Sequence, residues 1–214
     1  MEERLRLASR TMQAAILGVA LAGLLTDNIT WVPGALFSLF VTLVPTLIRR
    51  DLGILLPVEL NFWIVLALFL HVVGGFTGFY DRVTGWDHIT HAMSASLIAA
   101  LGFVAVATID KYVESIYLPR SFLAFFIVMF TMALGVIWEF MEFANDQLAG
   151  TRLQYSLDDT MVDLMFDSFG GFVVAIVGAY YLTHTTHEHF TSALNVDEAR
   201  DRIKKRIAKR KNNG

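Results

Sequence analysis

FLAFFIVMFTMALGVIWEFMEF, residues 122–143, is an unbroken apolar run whose only charged members are Glu139 and Glu142 at its far end. A helix needs about 20 mostly apolar residues to cross a bilayer, and this stretch has that length. Five more runs match it: Met12–Ile29, Trp31–Ile48, Phe62–Phe79, Thr90–Ile109 and Met161–Leu182. The 214 residues are 55% hydrophobic and 17% charged, with a mean hydropathy of +0.54. Soluble domains are less apolar and more charged. The expected fold is therefore all-α: a polytopic membrane protein built as a bundle of six transmembrane helices. The six runs leave no room for a separate soluble domain. They predict one membrane domain over 1–183, followed by a basic tail over 184–214. The first run also has features of a signal peptide, with a basic start and Ala20-Leu21-Ala22. The second apolar run follows almost at once, which favours a membrane span.

The loop charges predict the orientation. Fifteen of the 17 basic residues fall at the N-terminus (Arg4, Arg6, Arg10), in the second loop (Arg49, Arg50), in the fourth loop (Lys111, Arg120) and in the tail. The other loops carry only Arg82 and Arg152. The positive-inside rule then puts both termini in the cytoplasm and the chain in the cell (inner or plasma) membrane. The expected partner is membrane lipid, with a second copy of the chain a further candidate. A net charge of −3 argues against nucleic acid. With no cysteine, thiolate zinc sites, iron–sulfur clusters and thiol nucleophiles are excluded. The tail histidines His184, His187 and His189 read as a solvated polar linker, and Asn28-Ile29-Thr30 is a glycosylation triplet too close to the membrane to use.

The acids are uneven. Asp81, Asp87, Glu139, Glu142, Asp146, Asp158, Asp159, Asp163 and Asp167 fall on or beside the two loops placed outside. His88 and His91 are i, i+3; Glu139 and Glu142 are i, i+3; Asp159, Asp163 and Asp167 step by four. Each set lies on one helix face, and such faces turn away from lipid because ionisable groups there are costly. At 1.5 Å per residue, Asp167 is expected about 9 Å below the start of its span. Glu139 and His91 are expected within about 6 Å of theirs, so one cluster is geometrically consistent. Asp87 and Ser156 also suit helix caps. Glu139 and Glu142 are read into the last turn or two of their helix, where the dipole disfavours negative charge. The surplus of acid over Arg82 and Arg152 is what a divalent cation would fill. The expected ligands are Asp87, His88, His91, Glu139, Glu142, Asp159, Asp163 and Asp167, and the expected ion is Zn, Mn or Mg. His71 reads as a buried histidine, and Gly74, Gly75, Gly170 and Gly171 as close helix packing.

Trp86-Asp87-His88-Ile89-Thr90-His91, Glu139-Phe140-Met141-Glu142 and Asp159-Thr160-Met161-Val162-Asp163, in that order, resemble the YjdF-like family of prokaryotic inner-membrane proteins. The family elements are Tyr-Asp-Arg-x-x-His, Glu-x-x-Glu and Asp-Thr-x-x-Asp, and the likeness covers residues 75–182. The family arginine is His88 here, while Tyr80-Asp81-Arg82 lies upstream. Either an imidazole ligand is gained, or Arg82 supplies the guanidinium. The resemblance implies a membrane address and no particular activity.

Two classes of function follow from the acids. A metal-dependent hydrolase or phosphotransferase would use Glu142 and Asp163 as catalytic groups on a lipid or lipid-linked phosphate. A cation- or proton-linked transporter would use intramembrane acids as a path, but the inner halves of the last three spans are almost purely apolar. A non-catalytic assembly protein is the third reading.

Overall fold

The structure is a computed structural model. It describes residues 1–26, 29, 31–112, 119–184, 194–198, 200–202 and 204–205. The glycosylation triplet (apart from Ile29), His187, His189 and the last basic residues of the tail lie outside the described residues. Seven helices and no strand occur among the described residues: α1 (Glu2–Leu25), α2 (Trp31–Leu52), α3 (Val58–Thr77), the single turn α4 (Phe79–Arg82), α5 (Trp86–Tyr112), α6 (Arg120–Ala149) and α7 (Leu157–His184). All but α4 are long and apolar enough to cross a membrane. The chain is thus an all-helical integral membrane protein with six candidate spans.

The helices outrun the apolar runs at both ends, which corrects two positions. Beyond Phe143, α6 continues through polar Asn145, Asp146 and Gln147, because the sequence offers no helix breaker before Gly150. Gly150 takes a left-handed φ of 67° that only glycine adopts freely. Glu142 therefore lies seven residues from the end of α6, about 10 Å in, at the inner limit of the last two turns, and Glu139 lies a turn deeper still. The dipole penalty fades within the last turn, so it does not govern this pair. At the other side of the loop, α7 begins a turn earlier than its apolar run. Ser156 caps it: its Oγ accepts from the Asp159 amide at 3.1 Å. Asp167 then lies ten residues into α7, about 15 Å from its start.

The chain separates into two compact units. The first, Met1–Phe79 with Thr186–Gly214, packs α1, α2 and α3 around Ile16, Val19, Ala20, Ala35 and Val72. Gln13 of α1 donates to the Thr42 hydroxyl of α2 at 3.1 Å. Gly75 admits the Trp31 indole: a Cβ there would lie 2.2 Å from the ring. The described tail residues belong to this unit. Leu194 is buried, its carbonyl accepts from the Leu55 amide at 3.0 Å, and Arg202 pairs with Glu198. The Arg202 guanidinium and the Asn195 amide hold the Glu198 carboxyl below its ordinary range.

The second unit, Tyr80–Thr185, holds α4 to α7, with α7 packed on both α5 and α6. Small residues set the spacing. A Cβ at Gly170 would sit 2.8 Å from the Ala92 carbonyl of α5, and one at Gly171 would sit 3.1 Å from Thr131 of α6. Gly178 lies against the Phe103 ring in the same way. Backbones approach this closely only where side chains are absent.

Gly170→Ala is expected to destabilise the protein by about 1–3 kcal/mol, because the Ala92 backbone has no room to yield. Gly34→Ala, at a position with nothing within 4 Å, is expected to leave stability equal or slightly higher. Thermal unfolding in mild detergent checks both.

Candidate functional site

The first turns of α5 and α7 bring their ionisable faces together. His88 Nδ1 lies 2.8 Å from Asp163 Oδ1, and His91 Nδ1 lies 3.2 Å from Asp167 Oδ1. The opposite nitrogen of His91, Nε2, lies 3.6 Å from Asp87 Oδ1. Asp163 is 2% exposed, Asp167 4% and His91 7%, so this is a polar core inside an apolar unit. His88 is more open and stacks on Phe166, ring centroids 5.1 Å apart. Spacing explains the register: steps of three on α5 and four on α7 keep each pair on one face.

Two sets of donor atoms each fall within 4.8 Å of one another: Asp87, His91 and Asp163, and His88, Asp159 and Asp163. Asp163 is common to both. In the first set, His91 presents Nδ1 to Asp167 and Nε2 to Asp87; with the Nδ1 proton donated to Asp167, Nε2 would be the nitrogen able to offer a lone pair to an ion. Carboxylates orient metal-bound histidines in this way. His88 holds Asp163 similarly. Asp87 is therefore not a cap; its carboxylate turns to His91.

Glu139 and Glu142 are in neither set. Glu139 is 4% exposed and is claimed by the α6–α7 loop: Gln154 Nε2 donates to its Oε2 at 3.0 Å and to its backbone oxygen at 3.2 Å. Glu139 Oε1 is buried and has no hydrogen-bond partner among the described residues. Glu142 accepts from the Trp138 indole at 2.8 Å. Asp167 meets α6 at Gly135, where a Cβ would lie 2.3 Å from Oδ2.

Other groups build the frame. Asp146, read from sequence as a loop acid, organises the loop by accepting from the Thr151 hydroxyl at 2.6 Å and from the amides of Leu153 and Gln154 at 2.8 and 2.9 Å. Tyr155 donates to Asp81 at 2.8 Å, which ties that loop to α4. Burial raises both the Tyr80 and Tyr155 phenols well above their usual value, so both stay neutral donors. Arg82 and Arg152 are exposed, and neither pairs with an acid among the described residues. The imidazole of His88, not Arg82, faces the α7 aspartates. Asp158 is exposed. Gln154 and Gly135 belong to no motif, so sequence reading missed them. A glycine four residues before Glu139, on a helix otherwise rich in large side chains, was the only available signal.

Asp167→Ala strands the buried Nδ1 of His91 and is expected to cost about 1–3 kcal/mol, whereas Asp167→Asn keeps an acceptor and costs less. Thermal unfolding in detergent measures the difference.

Comparison with known proteins gives this geometry a family and no activity. A curated "Uncharacterized protein" of Thermotoga maritima is 34% identical over 112 residues, covering 51% of this chain and 56% of that protein. The chain thus spans little more than half the length of that relative. No solved structure matches. The family described as "Predicted membrane protein (DUF2238)" matches residues 7–184, which agrees with the resemblance carried by the acidic elements; the chain belongs to that family.

Proposed function

We propose that the α5–α7 cluster holds a divalent cation and that the protein is a metal-dependent hydrolase or phosphotransferase acting on a lipid or lipid-linked phosphate. One observation carries this reading: His91 has Nδ1 on Asp167 and Nε2 facing Asp87, with an oxygen of Asp163 inside the same 4.8 Å group. Asp87, His91 and Asp163 would be the ligands. One imidazole and two carboxylates suit Zn or Mn better than Mg, which prefers oxygen alone. The two negative charges would balance the ion, so the cluster becomes affordable within an apolar unit. When bound, such an ion polarises a phosphoryl oxygen and makes bound water a nucleophile near neutral pH.

The chain's own groups divide the remaining work. His88 and Asp167 orient Asp163 and His91. Asp159, on the more open side with His88, is the further ligand the second donor set supplies. Glu142, fixed by Trp138, is the acid–base group in this reading. Glu139 leaves the ligand set, because Gln154 occupies one of its oxygens. The positive-inside charge pattern supports an outward-facing site in the plasma membrane with both termini cytoplasmic.

The transporter reading has less support. Beyond His91 and Asp167, the described parts of α5 and α7 carry no ionisable side chain until Asp110 and Tyr180, so no relay continues through this unit. A structural reading has a specific observation behind it: the two His–Asp bonds already satisfy one another without an ion.

Metal content decides between them. Protein purified in mild detergent is expected to carry about one ion per chain by elemental mass spectrometry. His91→Ala and Asp163→Asn should lose it, and Glu139→Gln should keep it. Phospholipid or polyprenyl-phosphate turnover should disappear with the ion. A wild-type protein free of metal after growth with Zn, Mn and Mg overturns the proposal in favour of a structural polar core.

A further inference from the structure

A cavity of about 420 Å³ lies between α6 and α7, bounded by the loop that joins them. Val136, Phe140 and Phe143 of α6 face Leu157 and Leu164 of α7 across it, and Glu139, Gln154, Ser156 and Thr160 supply its polar lining. Phe140, Phe143 and Leu157 are themselves largely exposed, so the rim is apolar, on helices that lie in lipid. A cavity of this size is large enough for part of a lipid-sized molecule.

The polar lining is unfinished. Glu139 is almost fully buried. Gln154 satisfies Oε2, while Oε1 has no partner among the described residues. A buried acceptor left unpaired is costly, and native structures rarely leave one so. What completes it must donate a hydrogen bond, because a carboxylate oxygen and an anionic group repel. The Gln154 bond also fixes the carboxyl plane, and Asp146 in turn fixes Gln154 through its amide. The acceptor is held in place before any ligand arrives.

We infer that this cavity seats a membrane lipid whose polar end donates an N–H or O–H hydrogen bond to Glu139, with its hydrocarbon against Val136, Phe140, Phe143 and Leu164. A primary ammonium headgroup and the free hydroxyl of a diacylglycerol share that chemistry. A quaternary ammonium headgroup lacks it. The seat is distinct from the Asp87–His91–Asp163 group and needs no ion.

The test uses the full chain, delipidated in detergent and offered dioleoyl phosphatidylethanolamine, dioleoylglycerol or dioleoyl phosphatidylcholine, with bound lipid read by native mass spectrometry. The three share their acyl chains and differ at the donor. Wild type is expected to retain the ethanolamine lipid, the diacylglycerol or both about tenfold over the choline lipid, the scale of one charge-assisted hydrogen bond. The two donor arms identify the source. Glu139→Leu should abolish the preference, and Leu164→Trp, which fills the cavity from the other helix, should lower retention of all three. Either variant suffices if the other fails to fold. EDTA should change nothing; a preference lost with EDTA places the lipid on an ion and overturns this seat while leaving the metal proposal standing. Equal retention of the three lipids by wild type, a preference unchanged in folded Glu139→Leu, or retention unchanged in folded Leu164→Trp also overturns it.

Discussion

The second unit depends on how closely α7 can approach its neighbours. Asp163 and Asp167 sit well inside an apolar helix, where an unmatched carboxylate is costly. They are tolerated because partners stand within hydrogen-bond reach on α5: His88 at 2.8 Å and His91 at 3.2 Å. Those distances require α5 and α7 to touch almost backbone to backbone, and Gly170 against the Ala92 carbonyl allows it. Gly135 does the same on α6, leaving the Asp167 carboxylate the space a side chain would have taken. Packing of small residues and pairing of buried charge are one constraint seen from two sides.

The loop between α6 and α7 extends that constraint to Glu139. Asp146, still inside α6, gathers Thr151, Leu153 and Gln154 around one carboxylate. Gln154 is thereby placed to reach back to Glu139, 15 residues before it in the chain. The loop acts as a wall of the unit. Its far end is tied to α4 through Tyr155 and Asp81, and to α7 through the Ser156 cap.

The two halves of the ionisable set follow different physics. The α5 and α7 groups face each other in histidine–aspartate pairs, a pattern that suits both a metal ligand set and a self-satisfied polar core. The α6 glutamates accept from an amide and an indole, both neutral donors. The sequence treats all of them as one acidic cluster, since spacing reports which face a residue occupies and not which neighbour that face meets.

Much was legible in the chain itself. Six apolar runs determined six spans, because a bilayer accepts only helices of that length, and the i, i+3 and i, i+4 spacings determined which ionisable groups share a face. The Ser156 cap and the packing roles of Gly75, Gly170 and Gly171 were equally local. The tertiary structure decided what no spacing encodes. It set the helix ends, since α6 runs on to Gly150 in the absence of a breaker. It also decided that His88 rather than Arg82 meets the aspartates, that Gln154 claims Glu139, and that Gly135 makes room for Asp167. Each is a contact between segments far apart in sequence, and its energy depends on distance in space, which hydropathy and periodicity along one helix do not contain.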